Sequence, residues 1–253
     1  MKYVLSLSFG KDSMAMLIEI IKRKLPLDYV IFCDIRFNND ISGEHPIMAK
    51  WIPTAEEILK NRFSVNVIHL TAPITFVDGF YRKKQQGNNI GQNYGFPYMC
   101  SPWCNGELKM KPIKKFEKEI LKSGENITWY VGIAKDEPKR LDRYKQLETD
   151  RIKYITLADL DIDEIQAMDI CRENNLLSPK YENSFRGGCW FCNRQSLIDL
   201  YNLWKDYPDY FCILEKMETV NHNLFRNDGV SLTERRMQFE SGKIPKRNEE
   251  LSK

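Results

Sequence analysis

From its first residues the chain alternates between short apolar runs and segments whose apolar residues recur at helical spacing. Tyr3 to Leu7 reads as a strand, and Met14 to Lys24 as a helix stopped by Pro26. Tyr29 to Cys33 repeats the strand pattern and ends at Asp34. A helix from Ile47 to Arg62, interrupted or restarted near Pro53, leads to a third strand at Val65 to Leu70. Later come a helix at Pro112 to Ser123, strands at Ile127 to Ile133 and Ile152 to Leu157, and a helix at Glu164 to Asn174. Such alternation leaves few packed solutions, because each strand–helix–strand crossover runs right-handed and returns the chain to a parallel sheet covered on both faces. The expected fold is α/β, a doubly wound, mostly parallel, Rossmann-like sheet.

The pattern stops after Pro179, so residues 1–178 are expected to form the α/β domain. Residues 179–253 are expected to form a smaller helical, cysteine-bearing lobe, with helices at Leu197 to Trp204 and Tyr210 to Asn221 and a frayed polar tail from Ser241. Within the first domain, residues 72–102 lose periodicity and carry the polar, glycine-bearing stretch 85–93. They read as a substrate or metal loop, in which Tyr81 to Tyr98 either shapes an acceptor pocket or is a disordered insertion.

The turn between the first strand and the first helix carries the chemistry. Ser8-Phe9-Gly10-Lys11-Asp12-Ser13 offers backbone N–H groups, a glycine that permits close approach, a helix N-terminus and a lysine charge, which together suit an anion. Its spacing matches neither the Walker loop nor the dinucleotide GxGxxG. The bland reading is a plain turn with a helix cap. Its position at the carboxyl end of the first strand, where open α/β sheets bind ligands, favours the anion.

Four segments then resemble, in order, the PP-loop ATP-pyrophosphatase superfamily and its phosphoadenosine phosphosulfate (PAPS) reductase-like branch. Ser8 to Ser13 is similar to the SxGKDS loop, and Trp103-Cys104-Asn105-Gly106-Glu107-Leu108-Lys109 to a W-C-x-x-x-L-K segment. Gly132-Ile133-Ala134-Lys135-Asp136-Glu137-Pro138-Lys139-Arg140 is similar to a G-I-x-x-D-E-x-x-R segment, and Gly188-Cys189-Trp190-Phe191-Cys192 to a late C-x-x-C element. The resemblance implies an adenine nucleotide alpha hydrolase-like fold with a nucleotide on Ser8, Phe9, Gly10, Lys11, Asp12, Ser13, Asp34 and Gly132. Lys11, Asp12 and Ser13 would carry catalysis. Lys109, Asp136, Glu137 and Arg140 would meet substrate or pyrophosphate, and Asp12 or Asp34 would help to hold Mg²⁺. Ala134 stands where many relatives carry arginine. The late Glu-Cys-Gly nucleophile of the reductases proper has no counterpart near this C-terminus, while Lys11 matches the ATP-hydrolysing members, so ATP is expected ahead of PAPS.

Seven cysteines in a reducing compartment argue against a disulfide framework. Cys100 and Cys104 form C-x3-C, and Cys189 and Cys192 form C-x2-C, which is ligand spacing for Zn²⁺ or an iron–sulfur cluster. Thiolates suit both metals, so the spacing does not choose between them. A redox dithiol at Cys189 and Cys192, or simple burial, are the other readings. Cys33, Cys171 and Cys212 sit singly in apolar patterns and read as core, and His45, His69 and His222 are scattered and read as structural.

Composition sets the remaining bounds. Hydrophobic residues at 42% and charged residues at 29% are ordinary for a globular protein, and no run approaches the roughly 18 apolar residues of a membrane helix. The N-terminus begins a strand at once without an apolar leader, so no membrane association and a cytoplasmic location are expected. A net charge of +3 does not by itself argue for nucleic acid. Arg82-Lys83-Lys84 and the stretch from Lys109 to Lys122 read as solvated faces, with an RNA surface as the competing reading.

Three functions compete. An enzyme would cleave ATP to AMP and pyrophosphate, adenylate an acceptor and admit a nucleophile, sulfur foremost. A reductase would act on an adenylylated sulfate. A nucleotide- or RNA-binding module would use its cysteines as a structural zinc site. The partners these readings admit are a small-molecule nucleotide, an RNA or nucleotide acceptor, a sulfur donor and a second copy of the chain.

Overall fold

A computed structural model describes residues 1–245 apart from 88, 99–101, 183 and 185–186. In chain order the elements are β1 (Lys2–Leu7), α1 (Lys11–Lys22), β2 (Tyr29–Asp34), α2 (Pro46–Phe63), β3 (Val67–Thr71), α3 (Phe76–Tyr81), α4 (Lys111–Lys122), β4 (Ile127–Val131), α5 (Pro138–Lys145), β5 (Ile152–Thr156), α6 (Glu164–Glu173), α7 (Leu197–Asp206), α8 (Pro208–Thr219) and α9 (Leu232–Glu240). A six-residue π-helix at Asn105–Met110 leads into α4, and short 3₁₀ turns stand at Ala158–Leu160 and Pro179–Glu182.

The five strands form one parallel sheet in the order β3-β2-β1-β4-β5. The order reverses direction at β1, so the topological switch lies between β1 and β4, and their carboxyl ends open onto it. Strand alternation explains why both faces are covered. Leu5, Leu7, Val30, Phe32 and Tyr130 point to one face, where α1, α2 and α6 supply Met14, Leu17, Ile52, Leu59, Ala167 and Cys171. Their neighbours Val4, Ile31 and Trp129 point to the other, against Ile113, Phe116 and Ile120 of α4. Trp129 also donates its indole N–H to Glu117 of α4 at 2.9 Å.

Residue contacts divide the chain into two compact units that are not contiguous in sequence, whereas the sequence pattern alone divides it at 178. The first comprises 1–34, 46–72 and 109–187, and contains the sheet. The second comprises 35–45, 73–108 and 188–253. It is built on aromatic contacts: Phe37 lies 4.5 Å from Trp190 between ring centroids, Phe76 lies 4.0 Å from Phe191 and 5.2 Å from Trp103, and Phe96 lies 4.9 Å from Phe225.

Several local expectations are corrected. α2 runs continuously over Pro53, because Ile52, Ala55 and Leu59 are buried on both sides of the proline and hold the helix together. The stretch after residue 72 contains α3, which Thr75 and Asp78 cap reciprocally. The polar segment beyond α3 folds back on itself: the Tyr94 amide donates to Arg82 O at 2.8 Å, Lys84 to Gln92 O at 2.9 Å and Gly91 to Lys84 O at 3.0 Å. α5 and α9 carried too little apolar periodicity to be read, and α9 begins with a Ser231–Glu234 capping box. Cys212 is exposed rather than buried, because it falls on the solvent side of α8 while Phe211 and Leu214 turn inward. Among the described residues no helix is long and apolar enough to cross a membrane.

Candidate functional site

The loop after β1 is held in shape by its own short side chains. The Ser8 amide donates to Ser13 Oγ at 3.0 Å, the two serine hydroxyls are 3.0 Å apart, and Ser13 Oγ donates to Gly10 O at 3.1 Å. Phe9 adopts φ 54°, a left-handed conformation unusual for a bulky residue. Its ring is buried and meets Phe32 edge-on at 5.1 Å, so core packing holds the turn and only the Phe9 backbone is left for a ligand. Gly10 is the N-cap of α1 and has no side chain to satisfy the first-turn amides. The start of α1 therefore offers donors and the positive end of the helix dipole.

Gly132, at the carboxyl end of β4, packs against this turn. A Cβ at that position would stand 2.5 Å from the Ser13 nitrogen and 2.6 Å from the Asp12 carbonyl carbon. Its role in the structure is thus to let two backbones meet.

Lys11 is 4% exposed, and its ammonium is held by Asp12 Oδ1 at 2.6 Å and Glu164 Oε2 at 3.2 Å. Burial works against the charge, but the hydrogen bonds and charges of Asp12 and Glu164 outweigh it, and the lysine pKa is raised. Lys11 is therefore cationic at neutral pH. Asp12 is shifted up as well: its burial is the largest cause, the Lys11 ion pair opposes it, and the charges of Glu164 and Glu137 add to it. Burial prevails, since a carboxylate that shares its lysine with a second carboxylate gains less from the pair than the pair distance alone implies.

The segment from Gly132 to Arg140 closes around the same point. Glu137 Oε2 accepts the Ala134 amide at 3.2 Å, and its other oxygen pairs with Arg140. Asp136 Oδ1 accepts the amide of Glu164 at 3.2 Å. The structure thus gathers Ser8, Gly10, Lys11, Asp12, Ser13, Gly132, Asp136, Glu137 and Arg140. Asp34 ends β2 at the same sheet edge, but among the described residues no hydrogen bond or ion pair joins it to Lys11 or Asp12. Lys109 lies in the π-helix, where its carbonyl accepts from Cys33 Sγ at 3.6 Å.

Three participants were not foreseen. Glu164 follows the Asp163 cap of α6, and that capping box was its only signal. Tyr181 donates nothing legible to the sequence pattern, yet its Oη accepts the Lys11 amide at 3.0 Å. Cys171 donates to Lys11 O at 3.1 Å, and burial followed by the charge of Asp12 pushes its thiol up to about 12.

The late cysteine pair belongs to the second unit. Trp190 is fully buried, its amide donates to Gly43 O at 3.1 Å and its indole to Ser42 O at 2.9 Å, while the Cys192 amide turns back to Cys189 O at 3.1 Å. The two aromatics between the cysteines are thus core anchors that present Cys189 and Cys192 on a tight turn. Burial pushes the Cys104 thiol up to about 11, with the charge of Cys192 adding and Arg194 opposing. Cys100 lies outside the described residues, and among the described ones no three His, Cys, Asp or Glu side chains gather as a metal-binding group.

Fold and loop together define a class: a doubly wound parallel α/β protein whose first strand turns, at the switch point, into a glycine-capped helix N-terminus with a buried lysine. No protein-family model matches the chain. It is 28% identical over 132 residues to the uncharacterized nin region protein ORF290 of Escherichia phage lambda, a match spanning 52% of this chain and 42% of the phage protein's length. Among solved structures, the U34-tRNA thiolase NcsA from Methanococcus maripaludis with its 4Fe-4S cluster is similar at TM-score 0.41 and 17% identity, over 87% of this chain and 71% of that one.

Proposed function

We propose that this protein binds an adenine nucleotide on residues 8–13 and cleaves ATP between its α- and β-phosphates, adenylating an acceptor that then takes a nucleophile, sulfur foremost. The observation that carries the reading is Lys11: a lysine almost wholly buried at the mouth of β1, kept cationic, beside a helix start capped by glycine. A purely structural turn has no need to bury an ammonium there.

In this reading the α1 amides and the hydroxyls of Ser8 and Ser13 bind phosphate oxygens, and Lys11 exchanges part of its contact with Asp12 and Glu164 for phosphate. Arg140, exposed and paired with Glu137, would meet departing pyrophosphate. The donor chemistry also fits Mg²⁺: Asp12 and Glu164 share one lysine, and burial first, with the charges of Glu164 and Glu137 adding, disfavours the Asp12 carboxylate, which a divalent cation would favour. Asp12 would hold it with the phosphates. When bound, Mg²⁺ neutralises charge developing on the phosphate oxygens.

The cysteines are proposed to hold Zn²⁺ or an iron–sulfur cluster through Cys104, Cys189 and Cys192, with Cys100 as the fourth ligand. What supports this is the tight turn that carries Cys189 and Cys192 together with the charge of Cys192, which adds to the rise of the Cys104 pKa and which a bound cation would oppose.

The test is a thermal-stability titration of anaerobically purified protein with Mg-ATP and, separately, with PAPS. Stabilisation that rises with Mg-ATP and is lost in Lys11→Ala, together with pyrophosphate release, is the expected result. Stabilisation by PAPS alone, or by neither ligand, overturns the reading.

A further inference from the structure

Tyr181 reaches the phosphate loop from 170 residues further along the chain and is buried there. A phenol hydroxyl has acceptor capacity and one donor hydrogen. Its acceptor side is taken by the Lys11 amide in the first turn of α1, so the hydrogen is the group left to give. Gly10 and Gly187 both border Oη: a Cβ on Gly10 would stand 2.9 Å from it, and one on Gly187 3.4 Å. The hydroxyl is therefore bordered by glycine backbone at Gly10 and Gly187, so no side chain of either residue stands between it and the loop.

We infer that the Tyr181 O–H donates a hydrogen bond to a phosphate oxygen of the nucleotide seated on residues 8–13, carrying the donor capacity of the Lys11 amide one hydrogen bond further out from the helix. The inference rests on the nucleotide reading above. Accepting from a helix-start N–H polarises the phenol and strengthens its own donation, since hydrogen bonds in a chain reinforce one another. Burial raises the Tyr181 pKa, against the opposing pull of the Lys11 amide, so the group is a neutral donor at physiological pH. No sequence motif marks this residue. Only the fold brings the 3₁₀ turn at Pro179–Glu182 to the loop.

The experiment compares wild type and Tyr181→Phe, which removes one oxygen and keeps the ring, by calorimetric titration with Mg-ATP and with adenosine. The melting temperature of each ligand-free protein serves as the folding control. A hydrogen bond to a charged phosphate predicts Mg-ATP affinity lower by about tenfold or more, with adenosine affinity unchanged. Mg-ATP affinity within twofold of wild type overturns the inference while leaving the nucleotide reading intact. An equal loss for adenosine also overturns it, since the nucleoside has no phosphate to receive the bond. Failure of the wild-type protein to bind Mg-ATP overturns the reading and the inference together.

Discussion

Gly132 meets Ser13 so closely that any side chain at 132 would place its Cβ 2.5 Å from the Ser13 amide nitrogen. The neighbour is backbone in the first turn of α1 and cannot rotate away. Gly132→Ala is therefore expected to cost about 2 kcal/mol or more, in the range of overpacking, and to lower the melting temperature by several degrees. Thermal unfolding checks this, and an unchanged midpoint would refute the close approach.

Lys11 neutralises Asp12 and Glu164 at once. Lys11→Met keeps most of the buried stem but leaves Asp12 and Glu164 without their cation. Because Glu164 is half exposed, the expected loss is about 1–3 kcal/mol, below the figure for a fully buried pair. Adding Glu164→Gln should recover part of it. Urea unfolding of the single and double variants measures both quantities.

Glu218, on α8, is buried and accepts the amides of Phe225 and Leu232, each at 2.7 Å, tying the start of α9 to α8. Glu218→Ala orphans two buried amides, and a loss of about 2–4 kcal/mol follows from the penalty per unsatisfied donor. Glu218→Gln keeps an acceptor and should cost less. Denaturant midpoints of the two variants give the comparison.

Asp228 accepts from Arg226 at 3.0 Å and Arg235 at 2.9 Å. Burial pushes its pKa up, but the hydrogen bonds of Arg226 and Val230 and the charges of both arginines win, and the net shift is downward. A carboxyl whose folded pKa lies below its unfolded value stabilises fully above the unfolded pKa and loses that contribution as pH falls through the folded one. Wild type should therefore exceed Asp228→Asn in stability at neutral pH, and the gap should close below about pH 4. Melting temperatures from pH 7 down to pH 3 test the sign.

If Cys104, Cys189 and Cys192 share a metal, anaerobic protein should contain zinc or iron, and removing it with a chelator should lower the melting temperature. Serine in place of Cys104 or Cys192 should abolish the metal content. Metal-free wild-type protein with an unchanged melting temperature would count against the site.

The strand–helix alternation made the sheet readable, because a parallel strand buried on both faces writes itself as a continuous apolar run such as Tyr29 to Cys33. The loop from Ser8 to Ser13 was legible for a related reason. Its glycine, lysine and serines act within six residues of one another, so their geometry is local. α3, α5 and α9 were missed, since short amphipathic segments rest on caps and partners more than on periodicity.

By itself the sequence determined the fold class, the glycine-bearing turn between β1 and α1 and the cysteine spacing, all of which depend on residues close together in the chain. The tertiary structure alone decided that Glu164 would share Lys11, that Gly132 would touch Ser13 and that Tyr181 would cap the Lys11 amide. Those pairings join residues more than a hundred positions apart. No local propensity encodes them, and they exist because β4 pairs beside β1 and α6 packs on α1.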